Sequence, residues 1–446
     1  MDTSDDMGRR FRKGTAEWRL WRPWRFLYDF PYLARPRPST VLIGGAGGGN
    51  DASSAIRHGA GRVTAVEIDP FIAGLGTAMH PTRPYAAPNV AVVNDDVRGF
   101  LARTKERYDL ITYGILDSHT ALSSLSSLRL ENFVYTVEGL RAALARLNDD
   151  GVMTVSFYES DRTWLGRRIY ANIVAAEGRE PAVLRDEGCI YFAFGPGLDR
   201  PAFRRRMNGR GAAVEAELRA GPERTTTDDW PFLYTSPGGQ PLVYYLTLAL
   251  VVVGGWMALG RVMGRGGGLG VSSMDWEMAA LGAGFMLVQA RALTSLTLLY
   301  GSTWLVGAAV IAGTMALSGA ANALVAARPP ARRWPAYVLA LGAVLAMTAP
   351  LGSVLLGLPF GTRILAGTLL AVLPVLFSGV AFSSALAKSG NTARALGSNL
   401  VGCVFGGAAE AASLVWGIGS LGLLAALFYA AAWKAGAKGV DGNQRP

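Results

Sequence analysis

Hydrophobic positions follow two different regimes along the 446 residues. In the first half, short apolar runs rich in β-branched residues fall at 39–44 (STVLIG), 62–67 (RVTAVE), 89–93 (NVAVV), 108–113 (YDLITY) and 151–157 (GVMTVSF). Helix-period patterns occupy 50–58, 70–79, 96–105 and 136–147 between them. Strands alternating with helices predict a parallel sheet covered on both faces. Beyond residue 240 the chain carries apolar stretches of about 20 residues, long enough to cross a bilayer. They lie near 241–263, 278–299, 303–327, 336–357 and 363–387, and a block at 396–434 reads as two spans broken at GIGS (417–420). The expectation is an α/β domain followed by an all-α polytopic membrane domain of about seven helices.

Charge sharpens this division. Residues 241–446 hold 12 Lys/Arg and 4 Asp/Glu, against 31 and 29 in residues 1–240. The formal net charge of +10 thus lies mostly in loops flanking the membrane spans, which argues against a nucleic-acid partner. Three regions are expected: a basic and aromatic interfacial segment at 1–38, a soluble domain at 39–236, and the membrane domain at 237–446. The first region lacks the apolar core of a cleavable signal peptide. Cys189 and Cys403 lie in apolar runs and support neither a disulfide framework nor a zinc site. Asp275, Gln289, Arg291, Asn399 and Glu410 lie in or beside the spans, and Arg291 with Glu410 is the expected pairing. Gly402 and Gly406 predict close helix packing. Basic residues after spans one, three and five, including Arg261, Arg328, Arg333 and Lys388, would place the soluble domain outside by the positive-inside rule. The Arg/Trp-rich segment RRFRKGTAEWRLWRPWRFLYDFPYL instead suits an anionic inner leaflet. On the strength of that segment a cytoplasmic face is expected, and the span count carries the conflict.

On parallel sheets, ligands bind at the C-terminal strand edge, so the residues there form one candidate site. The first edge is Gly45-x-Gly47-x-Gly49, where absent side chains let the backbone approach a ligand. Gly47-x-Gly49-x-x-Ala52 also passes as a dinucleotide fingerprint. The second edge is Glu67-Ile68-Asp69, where an acid can take both ribose hydroxyls, and the third is Asn94-Asp95-Asp96, placed to accept from an adenine amino group. The fourth, Gly114-Ile-Leu-Asp117-Ser-His119, opens a Ser-rich loop. Glu67 or Asp96 alone would as readily be a helix cap or a loop acid. In order on successive strands, they favour a purine nucleoside. His119 suits a solvated loop histidine better than an acid or base, and His58 and His80 carry no functional reading. Tyr113 suits the lining of a nucleoside pocket and the core equally, Tyr135 and Glu138 suit packing and the helix dipole respectively, and Asp228, Asp229, Trp230 and Tyr234 suit an interfacial anchor before the first span.

VLIGGAGGGND, VTAVEIDP, VVNDDVRGFL, YDLITYGILDS and NFVYTVEGLRAALARLNDDGVMTVSF run in the order found in spermidine synthases, the polyamine aminopropyltransferases. The chain resembles that family, and more closely its membrane-fused bacterial branch, which DDWPFLY (228–234), GSTWLV (301–306) and ALGSNLVGCVFGGAAEAASL (395–414) also resemble. The resemblance implies a Rossmann-like domain of the class I SAM-methyltransferase type that binds S-adenosylmethionine (SAM) or its decarboxylated form, without a metal, in a bacterial plasma membrane. By position Glu67 would hold the ribose, Asp96 with Asp95 the adenine, and Gly45, Gly47, Gly49, Ile68 and Gly114 would line the site.

Departures from the family pattern alter the chemistry expected. The family's first motif usually reads GGGDGG, and its Asp, which grips the aminopropyl ammonium, falls on Gly47. The fourth strand usually ends in Asp-x-x-Asp. Its first acid, which deprotonates the attacking polyamine, falls on Gly114, and the second remains as Asp117. The preceding β-hairpin domain is replaced by the aromatic, basic segment. An amine with a pKa of about 10 needs a base and anionic anchoring to attack. A carboxylate needs neither, and SAM carries its own, so the expected reaction is SAM cleavage to methylthioadenosine and homoserine lactone. Asp117 is the candidate catalytic residue, steadying the ammonium or sulfonium, with an N-cap role as its alternative. Aminopropyl transfer to a polyamine, methyl transfer, and a non-catalytic adenosyl sensor are the alternatives. A homo-oligomer or an additional membrane subunit is compatible with the sequence.

Overall fold

The computed structural model describes residues 16–116, 133–159, 163–186, 188–207, 211–221, 223–236, 238–239, 242–263, 274–301, 304–347 and 352–442. The chain forms two compact units, Met1–Pro237 and Gly238–Pro446.

The first unit opens with helix α1 (Ala16–Ala34) and continues β1 (Thr40–Gly44), α2 (Asn50–Arg57), β2 (Arg62–Glu67), α3 (Pro70–Met79), β3 (Val90–Asn94), α4 (Val97–Arg103) and β4 (Tyr108–Tyr113). After α5 (Val137–Leu144) come β5 (Leu147–Tyr158), α6 (Thr163–Glu177), β6 (Ala182–Asp186), β7 (Cys189–Phe194), α7 (Arg200–Arg206) and α8 (Ala212–Ala220). The sheet order is β3-β2-β1-β4-β5-β7-β6, with β1 to β5 parallel and β7 antiparallel to both neighbours. This is a Rossmann-like, methyltransferase-type sheet. Alternate residues of β1 serve opposite faces: Leu42 packs with Ile111, Leu140 and Met153, while Val41 and Ile43 pack with Ala52, Ala55 and Val63. Burial on both faces is what makes β1 and β4 read as continuous apolar runs. Asp109 pins the N-terminal ends of β1 and β4, accepting from the main-chain N–H of Ser39 (2.8 Å) and Thr40 (3.1 Å).

Two segments expected at a bilayer interface belong to this core from residue 25 onward. On α1, Leu27 and Phe30 are buried with Leu184, Tyr191 and Phe203, and Phe26 meets Tyr191 edge-on at 5.3 Å. The polar side of α1 is equally engaged. Asp29 accepts from Ser54 (3.1 Å) and Arg57 (2.6 Å) and lies 2.9 Å from His58 Nε2. Basic and aromatic residues alternating along a helix separate onto two faces, and here the aromatic face found a sheet. Likewise Trp230, Phe232 and Leu233 are buried, and Trp230 lies beneath the Arg224 and Arg168 guanidinium groups, 4.0 and 5.3 Å from their carbons. Arg168 itself is buried, which lowers its guanidinium to about 10, and it donates to the carbonyls of Leu233 and Thr235.

The second unit comprises α9 (Leu242–Met263), α10 (Trp276–Tyr300), α11 (Trp304–Ala327), α12 (Trp334–Ala346), α13 (Phe360–Ala387), α14 (Thr392–Ala409) and α15 (Gly419–Gly442). Among the described residues five helices are long and apolar enough to cross a membrane: Trp276–Tyr300, Trp304–Ala327, Phe360–Ala387, Thr392–Trp416 and Gly419–Ala437. Leu242–Ala258 and Trp334–Ala346 are apolar but shorter. The break expected at GIGS is present, with Gly417 at φ 87° between the last two spans. Glycines set the approach of α14 to α10. A Cβ at Gly402 would lie 1.8 Å from the Ala279 carbonyl oxygen, and one at Gly406 would lie 2.4 Å from that of Ala283. Gly402→Val is therefore expected to destabilise this unit by about 1–3 kcal/mol through overpacking. Gly407→Val, whose nearest neighbour is Met286 Cε at 4.0 Å, should be close to neutral. Thermal denaturation of the detergent-solubilised protein compares the two, and equal melting temperatures would refute the close crossing.

Arg291 does not meet its expected partner. Its guanidinium donates to the carbonyls of Met347 (2.6 Å) and Gly419 (3.3 Å), while Glu410 is exposed. Met347 follows the last turn of α12, where unpaired carbonyls concentrate negative potential. Among the described residues of this unit an acidic partner is Glu277, which takes Arg333 at 2.5 Å and the Tyr337 hydroxyl at 2.7 Å.

Candidate active site

The site lies at the C-terminal edges of β1 to β4, where the sheet order reverses across β1. Gly45, Gly47 and Gly49 have φ of +67°, +55° and +102°, a region that favours glycine. The reasons for their smallness differ. A Cβ at Gly45 would strike Leu116 at 1.8 Å and one at Gly49 would meet Pro84 at 2.8 Å. At Gly47 the nearest atom would be the Gly45 carbonyl oxygen at 4.0 Å, so backbone conformation, not space, selects glycine there. Ahead of the loop, the smallness of Gly44 admits the Tyr113 ring, which would lie 2.6 Å from its Cβ.

Glu67 holds the loop in place. It is buried at the end of β2, where one carboxylate oxygen accepts the Gly47 N–H (2.7 Å) and the other the Asp69 N–H (2.9 Å). Tyr85 supports the loop from outside, its hydroxyl 2.9 and 2.7 Å from the Ala46 and Gly47 carbonyls. Burial pushes its phenol well up, reinforced by the negative charges of Glu67 and Asp51. This tyrosine sits in a single 3-10 turn, Pro84–Ala86, between α3 and β3, and nothing in its local sequence pattern marked it.

The third edge is tied to the second by main chain. Asp95 N–H donates to the Glu67 carbonyl (3.1 Å), and Asn94 Nδ2 donates to the carbonyls of Glu67 (2.9 Å) and Ile68 (3.1 Å). Ile68 is half-buried beside this crosslink. Asp95 accepts the Asp96 N–H at 2.9 Å and pairs with Arg103. Asp96 caps α4 by accepting the Gly99 N–H at 3.1 Å. One carboxylate oxygen suffices for this cap.

Gly114 ends β4, buried, and the first turn of α2 comes up against it. A Cβ at Gly114 would lie 3.1 and 3.3 Å from the two oxygens of Asp51. Asp51 was not singled out from the sequence. Its place in the Asn-Asp pair that opens α2 was visible, but its proximity to β4 is a property of the packed sheet. Asp117 and His119 lie outside the described residues. Among the described residues no cluster of three or more His, Cys, Asp or Glu could hold a metal ion.

Residues 24–178 match the family model described as the spermine/spermidine synthase domain. These residues form a spermidine synthase-like domain. They include the second half of α1 and strands β1 to β5 with their C-terminal edges. Solved structures similar to the chain include a spermidine synthase in complex with the transition state analogue AdoDATO, 18% identical over 44% of this chain and 70% of that one, TM-score 0.33. The spermidine synthase of Thermotoga maritima is 18% identical over 44% and 71%, TM-score 0.33. Human methyltransferase-like protein 13 in complex with SAH is 18% identical over 45% and 93%, TM-score 0.31. Within the spermidine synthase-like domain, Gly45, Gly47, Gly49, Glu67, Ile68, Asp95, Asp96 and Gly114 share one sheet edge.

Proposed function

We propose that the spermidine synthase-like domain binds SAM at the β1–β4 edge and cleaves it on the aminopropyl side. The reading rests on Gly114, a buried glycine at the strand end where the family carries a proton-accepting acid. In this reaction the SAM carboxylate oxygen bonds to its own γ-carbon as the bond from that carbon to sulfur breaks. The sulfonium takes the electron pair, giving neutral methylthioadenosine and homoserine lactone, with no proton transferred. The protein's part is to hold the tail bent so that carboxylate and γ-carbon meet, which supplies much of a unimolecular barrier reduction. Glu67 would hold the ribose hydroxyls, Asp96 the adenine amino group, and Asp117 would steady the sulfonium. The N-terminal unit faces the cytoplasm of a bacterial plasma membrane, and protease protection in inverted vesicles checks that side.

A second reading is favoured by the family model itself: aminopropyl transfer from decarboxylated SAM to a polyamine. Incubation of the full-length protein with SAM alone, followed by mass spectrometry, separates the two. Methylthioadenosine with homoserine lactone is the expected product pair. Methylthioadenosine only with decarboxylated SAM and putrescine would overturn cleavage in favour of transfer, and S-adenosylhomocysteine would indicate methyl transfer.

A further inference from the structure

Gly114 removes an acid from β4, but the carboxylate of Asp51 stands where a side chain from position 114 would project. The Cβ of any larger residue there would approach the Asp51 carboxylate carbon to 3.5 Å and both its oxygens more closely. The glycine and the aspartate are therefore complementary: one vacates the ground the other occupies. Two acids in this space would repel each other at short range and disfavour joint ionisation.

We propose that Asp51, delivered from the first turn of α2, is the carboxylate that holds an alkylammonium group of the ligand at the β4 edge. This assignment rests on the adenosyl reading above and deepens it. Helix α2 begins directly after the glycine loop, so Asp51 is two residues from Gly49 and reaches the loop and the β4 edge together. Its charge reaches Tyr85, whose hydroxyl touches the Gly47 carbonyl. The positive end of the α2 dipole favours an ionised carboxylate in its first turn. An ionised carboxylate facing an ammonium makes a charge-assisted hydrogen bond, stronger than a neutral one. The ammonium can come from the α-amino group of SAM itself or from a separate amine acceptor.

The test compares Asp51→Asn with wild type in the full-length, detergent-solubilised protein, using SAM and methylthioadenosine as probes. Methylthioadenosine has the adenosyl group but no ammonium, so its binding reports an intact site. If SAM supplies the ammonium, Asp51→Asn weakens SAM binding about 10- to 100-fold and leaves methylthioadenosine unchanged. Adding Gly114→Asp to Asp51→Asn should then recover at least tenfold of the loss. If a separate amine supplies it, Asp51→Asn spares SAM binding and abolishes the stimulation of methylthioadenosine release by putrescine. Equal weakening of both probes, or no change in SAM binding and putrescine response, overturns the assignment while the adenosyl reading stands. Wild-type protein that binds neither probe overturns the adenosyl reading and this assignment with it.

Discussion

Glu67→Gln is expected to weaken adenosyl binding by two to four orders of magnitude. The carboxylate already accepts the Gly47 and Asp69 main-chain N–H groups through separate oxygens. Glutamine offers one acceptor and one donor, so its amide nitrogen would face an N–H group. The loop that carries Gly47 would shift, and the charged acceptor proposed for the ribose hydroxyls would vanish as well. Hydrogen bonds to charged groups contribute about 1.5–3 kcal/mol each, so losing two costs roughly 3–6 kcal/mol. Calorimetric titration with methylthioadenosine measures the effect. A change below tenfold would show that Glu67 shapes the loop without holding the ligand.

Arg98→Ala is expected to destabilise the N-terminal unit by about 3–5 kcal/mol, the usual cost of breaking a buried ion pair from one side. Arg98 pairs with Asp228 through two nitrogens at 2.9 and 2.8 Å and donates to the Phe133 carbonyl at 2.6 Å and the Thr136 hydroxyl at 3.1 Å. Burial alone would lower its guanidinium, but the bonds and charge of Asp228 outweigh burial and raise it. Alanine would leave the Asp228 carboxylate facing only the Thr136 hydroxyl among these groups, with the Phe133 carbonyl stripped of a donor. Denaturation followed through Trp230, buried two residues beyond Asp228, reports the loss. The Arg98→Ala, Asp228→Ala double variant should cost less than the sum of the single changes, because the second removes the stranded charge. Simple additivity would mean that the pair is uncoupled.

The contrast between Glu67 and Asp228 shows how far local pattern reaches. Glu67 ends a β-branched run before a helix start, so its place at a strand edge follows from sequence order alone. Asp228 sits in DDWPFLY, directly before an apolar helix, and that setting favoured an interfacial anchor. Its real partner is 130 residues away on α4, and no local periodicity encodes such a pairing. The same limit explains α1, whose aromatic stripe suits a bilayer interface and a sheet face equally well. It also explains Arg291, for which Glu410 was the expected countercharge but whose guanidinium donates to the carbonyls of Met347 and Gly419. The β6–β7 hairpin was missed although its strands match β1 to β4 in length, because an antiparallel pair departs from the strand-helix alternation of β1 to β5.

The order and type of elements from β1 to β5, the glycine loop, the acids on successive edges and the glycine-mediated helix crossing were determined by the sequence itself. Each depends on periodicity or on residues within a few positions of one another, and so on forces that act locally along the chain. The tertiary structure alone decided which chain segment covers each face, which charge meets which, and that the Asp51 carboxylate stands beside Gly114. Asp51 and Gly114 are 63 residues apart, and only the parallel crossover that sets α2 beside β4 brings them together.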